Sequence, residues 1–102
     1  MYRYSTPTIP IKMIDLDFSE VAFFRIKIEN DKTSILQQIA INDARVDAEN
    51  KTIYFTLTQE ETAEFQEGFA AIQVRVKFNN GNVEPTPIKQ IQVKDVLDEV
   101  VI

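Results

Sequence analysis

The chain has no cysteine, no histidine and no tryptophan, and only two glycines in 102 residues. Without cysteine, disulfides, thiolate nucleophiles and cysteine zinc sites are excluded. Without histidine, the commonest general base and the commonest metal ligand are gone, and no serine triad can form around Ser5, Ser19 or Ser34. Gly68 and Gly81 stand apart, so there is no glycine-rich phosphate loop. Bases are in deficit, eleven against sixteen acids for a net charge of −5, which argues against a nucleic-acid binder. No apolar run approaches the ~18 residues of a membrane span. The opening Met1-Tyr2-Arg3-Tyr4-Ser5 leads into no apolar stretch of signal-peptide length. These absences predict one non-catalytic domain over residues 1–102, with no cofactor and no metal. Such a chain stays in a cytoplasm or leaves it inside an assembled particle.

The residues present are strand formers. Ile and Val number 22 against four Leu, with eight Thr and ten aromatic residues, and branched and ring side chains fit a pleated, half-buried surface. Thr8 to Met13 alternates, with Pro7 and Pro10 marking an edge or entry strand. Val21 to Glu29 places Ala22, Phe24, Ile26 and Ile28 on one face and Phe23, Arg25, Lys27 and Glu29 on the other. Ser34 to Ile41 follows after the turn residues Asn30-Asp31-Lys32, its alternation interrupted by Gln37. Asn42 to Asp47 is an ambiguous link, with or without a short pairing at Arg45-Val46. Thr52 to Thr58 turns Ile53, Phe55 and Leu57 inward. Ala70 to Phe78 does the same with Ala70, Ile72, Val74, Val76 and Phe78. Asn79-Asn80-Gly81-Asn82 is a hairpin signal. The strand returning from it, Val83 to Val93, is disturbed by Pro85 and Pro87.

Between these strands, Thr58 and Glu61 form a capping box, and Gly68 is a stop signal. The expected helix runs from Gln59 to Gln66, with Phe65 in the core. The sum is an all-β, antiparallel sandwich of six to seven strands with one short helix near residues 59–66. Its inner faces carry Phe24, Ile26, Ile28, Ile53, Phe55, Leu57, Ile72, Val74, Val76 and Phe78.

Three charged groupings qualify as sites. Asp15, Asp17 and Glu20 form an acidic loop, but without the glycine and the fuller ligand set of a calcium loop they read as turn acids. Glu60, Glu61, Glu64 and Glu67 read as helix capping and a solvated face. Arg25, Lys27, Arg75 and Lys77 make a basic stripe if their two strands share a sheet. Such a stripe suits an acidic partner or serves as an ordinary charged face.

The order of features resembles a group of small proteins encoded among the structural genes of tailed phages and prophages of Gram-positive bacteria. The resemblance rests on Thr6-Pro7-Thr8 before an alternating strand, Leu57-Thr58-Gln59-Glu60-Glu61-Thr62, Ile72-Gln73-Val74-Arg75-Val76 and the closing Val96-Leu97-Asp98-Glu99-Val100-Val101-Ile102. It spans nearly the full length, as pattern more than identity. It departs around Asn42 to Asn50, where a tighter Asp-Gly or Asn-Gly turn is expected. The resemblance implies an immunoglobulin-like sandwich similar to the start of baseplate upper proteins. It also implies a tail- or baseplate-associated role and no catalytic residues. Partners are then other phage structural proteins or a second copy, with no nucleic acid and no membrane, and the location is the host cytoplasm and later the virion. A sandwich of this kind also suits a carbohydrate or surface-ligand module, with Tyr2, Tyr4, Tyr54 and Phe23 as the rings available to it.

The chain ends complete the reading. As a helix, Val96, Leu97, Val100 and Val101 would share one stripe, with Asp95, Asp98 and Glu99 turned away. Apolar surface of that kind is unfavourable in water. The tail is therefore expected to dock on its own sandwich end or on a neighbouring subunit, with Tyr2, Arg3 and Tyr4 joining the contact.

Overall fold

The structure, a computed structural model, describes every residue except Lys32. The expected turn at Asn30-Asp31-Lys32 therefore lies partly outside the described residues. Two antiparallel sheets face each other, and the core between them is built from the alternating inward side chains of the longer strands. The three-stranded sheet has the order β1 (Thr8–Lys12), β5 (Thr52–Thr56), β4 (Arg45–Asp47). The larger sheet has the order β3 (Thr33–Ala40), β2 (Val21–Asn30), β6 (Gly68–Phe78), β7 (Val83–Pro85), with β8 (Lys89–Val93) also paired to β6.

Among the described residues the strands number eight rather than six or seven, for two physical reasons. The Arg45-Val46 pairing is a real strand, in register Arg45↔Tyr54, Val46↔Ile53 and Asp47↔Thr52. The turn after it needs no glycine, because Lys51 takes the left-handed conformation at φ 51° and the Asp47 carboxylate accepts from the Asn50 backbone N–H at 3.2 Å and its side-chain amide at 2.7 Å. The returning strand splits into β7 and β8 where Pro85 and Pro87 remove ladder donors. Thr86 bridges the gap: its N–H donates to Val74 O at 2.8 Å and its hydroxyl accepts from Val74 N at 3.1 Å.

Nine of the ten expected core residues are buried, whereas Phe78 is only half-buried. A bulge in the β2–β6 pairing between Val21 and Phe23 resets the alternation. It lets Val21 and Phe24 both face inward, while Ala22 is half-exposed. Phe18, in a 3-10 turn over Phe18–Glu20, drops into the core and meets Phe24 edge-on, with ring centroids 6.3 Å apart. The helix α1 is Gln59–Ala63, shorter than the expected 59–66, with both halves of the Thr58–Glu61 capping box formed. Phe65, just beyond it, is fully buried as expected.

Candidate functional site: the joined termini and the basic sheet face

The two chain ends meet: Tyr2 pairs with Lys94, and Arg3 reaches Asp95 and Glu99 beside the predicted contact residues of the tail. Met1–Arg3 run beside the end of β8. Tyr2 bridges Lys94 in parallel, Arg3 N donates to Lys94 O at 2.8 Å, and Lys94 N donates to Met1 O at 2.7 Å. The Lys94 ammonium lies 5.5 Å from the centre of the Tyr2 ring, and the Arg3 guanidinium 5.3 Å from that of Tyr4.

Arg3 is the hub of this region. Its Nε donates to Phe65 O at 2.6 Å and one terminal nitrogen to Ala63 O at 2.8 Å. The other terminal nitrogen donates to Asp95 Oδ1 at 2.9 Å and Glu99 Oε1 at 3.0 Å. The planar fork of guanidinium donors makes this reach possible, and a lysine could not reproduce it. Asp95, with the Val96 N–H as a further donor, raises the Arg3 pKa and is itself held below the usual carboxylate range by the Arg3 hydrogen bond.

The carbonyls that follow α1 show why Arg3 sits there. A helix end leaves its last carbonyls without partners. Here each of four successive carbonyls is met by a side chain. Arg3 takes Ala63 and Phe65, the Thr33 hydroxyl takes Glu64 at 2.8 Å, and the Asn30 amide takes Gln66 at 2.8 Å. Asn30 also accepts from Gln66 N at 3.2 Å. Thr62, fully buried, donates to Ser5 O at 2.8 Å and accepts from Ser5 N at 3.1 Å. The amino-terminal arm is therefore held to its own domain.

The tail departs from its expected form. Residues after Lys94 adopt no helix. Eight residues are too few to nucleate one against water, and the side-chain bonds that hold them favour an open chain. Gln59 clamps Ile102 at both main-chain groups, donating to its O at 2.7 Å and accepting from its N at 3.0 Å. The tail thus docks on its own domain through polar groups. Its apolar side chains do not form the expected buried stripe. Leu97, Val100, Val101 and Ile102 face solvent, and Val96 is half-buried.

The basic stripe takes shape because β2 and β6 are direct neighbours. Arg25 lies opposite Arg75, Phe23 opposite Lys77, and Lys27 opposite Gln73. Gln38 on β3 accepts from Arg25 at 3.1 Å, and Glu29 approaches Lys27 at 3.5 Å. Two shallow grooves follow the stripe, one floored by Phe23, Arg25, Arg75 and Lys77 and one by Arg25, Lys27, Leu36 and Arg75. Like charges directly opposite across two strands are unfavourable unless an anion answers them.

In each of the other two groupings one carboxylate has a local partner. Asp17 caps the 3-10 turn, accepting from the Ser19 hydroxyl at 2.7 Å and the Ser19 N–H at 3.0 Å, and these bonds lower its pKa. Glu61 is occupied in the capping box. A cleft of about 430 Å³ opens beside the break between β7 and β8, lined by Ile11, Met13, Leu16, Phe78, Pro85 and Pro87 among others. Phe78 is its one aromatic wall, so it offers little of the stacking surface that sugars favour.

No helix among the described residues is long and apolar enough to cross a membrane. Comparison with protein-family models, with curated proteins and with solved structures finds no match to this chain.

Proposed function

We propose that this chain is a non-catalytic structural or assembly protein that acts through protein–protein contacts, of the tail- or baseplate-associated kind found in tailed phages. The observation that carries the contact role is the paired Arg25 and Arg75 at the centre of a basic sheet face in a chain of net charge −5. A partner that is acidic at this face would relieve the like-charge pairing and be steered to it. The virion assignment rests on the sequence resemblance, with an immunoglobulin-like version of the sandwich as its fold. In that reading the chain is made in the host cytoplasm and carried in the particle, among other structural proteins or second copies of itself. Particles released by induction of the strain that encodes the chain, purified and analysed by mass spectrometry, should contain it. Its presence only in the cell lysate, never in particles or assembly intermediates, would overturn the virion role.

A carbohydrate or surface-ligand module is the second reading; the cleft beside Phe78 gives it room, and an exposed ring such as Tyr2 would have to supply the stacking. Specific binding on a glycan array would favour that module over the assembly role.

A further inference from the structure

Among the described residues, every open strand edge but one is protected. β1 carries Pro10 and Lys12; β4 is three residues long and bears Arg45 and Asp47; β7 is three residues with Glu84 and Pro85; β8 bears Lys89. Shortness, proline and charge are the devices that keep a sheet edge from recruiting another strand. β3 has none of them. Its eight residues, Thr33-Ser34-Ile35-Leu36-Gln37-Gln38-Ile39-Ala40, carry no charge, no proline and no glycine, and it pairs along its whole length with β2 without a bulge.

The ladder shows which main-chain groups are free. Ile41 N donates to Ala22 O at 3.0 Å. Hydrogen-bonded and non-bonded pairs alternate along an antiparallel ladder, so Ile39, Gln37 and Ile35 also turn their main chain to β2. Ser34, Leu36 and Gln38 turn theirs outward, and among the described residues no strand pairs with that side. The three residues are exposed. They are also symmetric about Leu36.

We propose that the β3 edge is a self-association site at which a second copy of this chain adds its own β3 antiparallel, about a two-fold axis through Leu36. That register pairs Ser34 with Gln38 of the second copy, and Leu36 with its own counterpart. Each pair exchanges two main-chain hydrogen bonds, so every outward group of the three residues gains a partner. The absence of charge on β3 removes like-charge clashes at the axis. Leu36, 49% exposed, meets its counterpart on the outer face. The occupant is a second copy because the free groups match themselves under two-fold rotation, as an isologous contact requires. The inference deepens the contact role proposed above by naming one partner. It sets two basic stripes, each centred on Arg25 and Arg75, in one continuous sheet face.

The test is the mass of the full chain by light scattering at increasing concentration up to about 1 mM, with a nitroxide at Leu36→Cys, the only thiol in that variant. The expected result is a doubling of mass with concentration and spin–spin coupling at position 36. Leu36→Lys, which sets two ammonium groups face to face at the axis, should keep the mass of one chain. Phe69→Lys, at a residue 66% exposed and away from β3, should still double. A chain that stays single at every concentration overturns the proposal, as does a dimer without coupling at position 36. If Leu36→Lys fails to fold, the labelled chain decides alone. Failure here leaves the particle analysis untouched, since that experiment reads the company the chain keeps and not its self-contact.

Discussion

Asn30 offers a sharp test of how the loop after α1 is held. Its side chain is 6% exposed, and its amide makes two bonds to the Gln66 backbone, at 2.8 and 3.2 Å. Asn30→Ala removes both and leaves the Gln66 N–H and carbonyl to find water in a part-buried place. Two hydrogen bonds at about 1 kcal/mol net each, plus some of the cost of unsatisfied groups, give a loss of about 2–3 kcal/mol. For a chain of this size the thermal midpoint should fall by about 10–20 °C. Urea unfolding followed by circular dichroism measures the loss, with an unchanged slope showing that the unfolded state is the same. Asn30→Asp should be worse than alanine at neutral pH, because it sets a carboxylate against the Gln66 carbonyl. An Asn30→Ala loss under about 0.5 kcal/mol would refute the reasoning, since it would mean that water replaces the amide without cost.

Phe55→Ala, at a residue 3% exposed between the sheets, should cost about 3–5 kcal/mol in the same assay; a loss under about 1 kcal/mol would mean that the inward face of β5 is misassigned. Acid should release the tail before it unfolds the sandwich. The folded pKa of Asp95 is lowered, first by Arg3, so its contribution is complete above the ordinary value of about 3.9 and is lost as pH falls through the lowered value. An NMR titration should show the Arg3 Nε–H and Ile102 amide signals shifting in that window while the strand signals hold. Tail signals unmoved until the whole chain unfolds would contradict this. Thermal melting should be indifferent to a chelator, because Asp17 is held as the cap of the 3-10 turn, its Oδ1 accepting twice from Ser19; a lower midpoint on chelation would restore Asp15, Asp17 and Glu20 as ligands.

The strands were legible because their signal is local. Ile53, Phe55 and Leu57, or Ile72, Val74 and Val76, state the period of two without outside help, and Thr58 with Glu61 states the start of α1. What stayed hidden depends on long-range geometry. Gln37 looks like a flaw in the alternation of β3, yet its amide donates to Thr56 O at 3.1 Å across the two sheets. Phe18 sits among acids in an irregular loop and still reaches the core. Arg3 reads as an interface residue by type, and only the fold reveals two carbonyls in need of its donors some 60 residues away. The tail misled for a related reason. The spacing of Val96, Leu97, Val100 and Val101 fits a helix, but Arg3 and Gln59 hold it open through Asp95, Glu99 and Ile102. The edge strand was visible as a strand, and its lack of protection became meaningful only once the sheet order placed it outermost.

Amide hydrogen exchange along β3 tests the account most directly, because one experiment reads both the fold and the contact role. In dilute solution the Ile35, Gln37 and Ile39 amides should exchange slowly, bonded to β2, while those of Ser34, Leu36 and Gln38 exchange fast. On raising the concentration, the second set should slow as a neighbouring chain takes the edge. Fast exchange of Ser34, Leu36 and Gln38 at every concentration would contradict the self-contact, and slow exchange of all six in dilute solution would contradict the open edge itself.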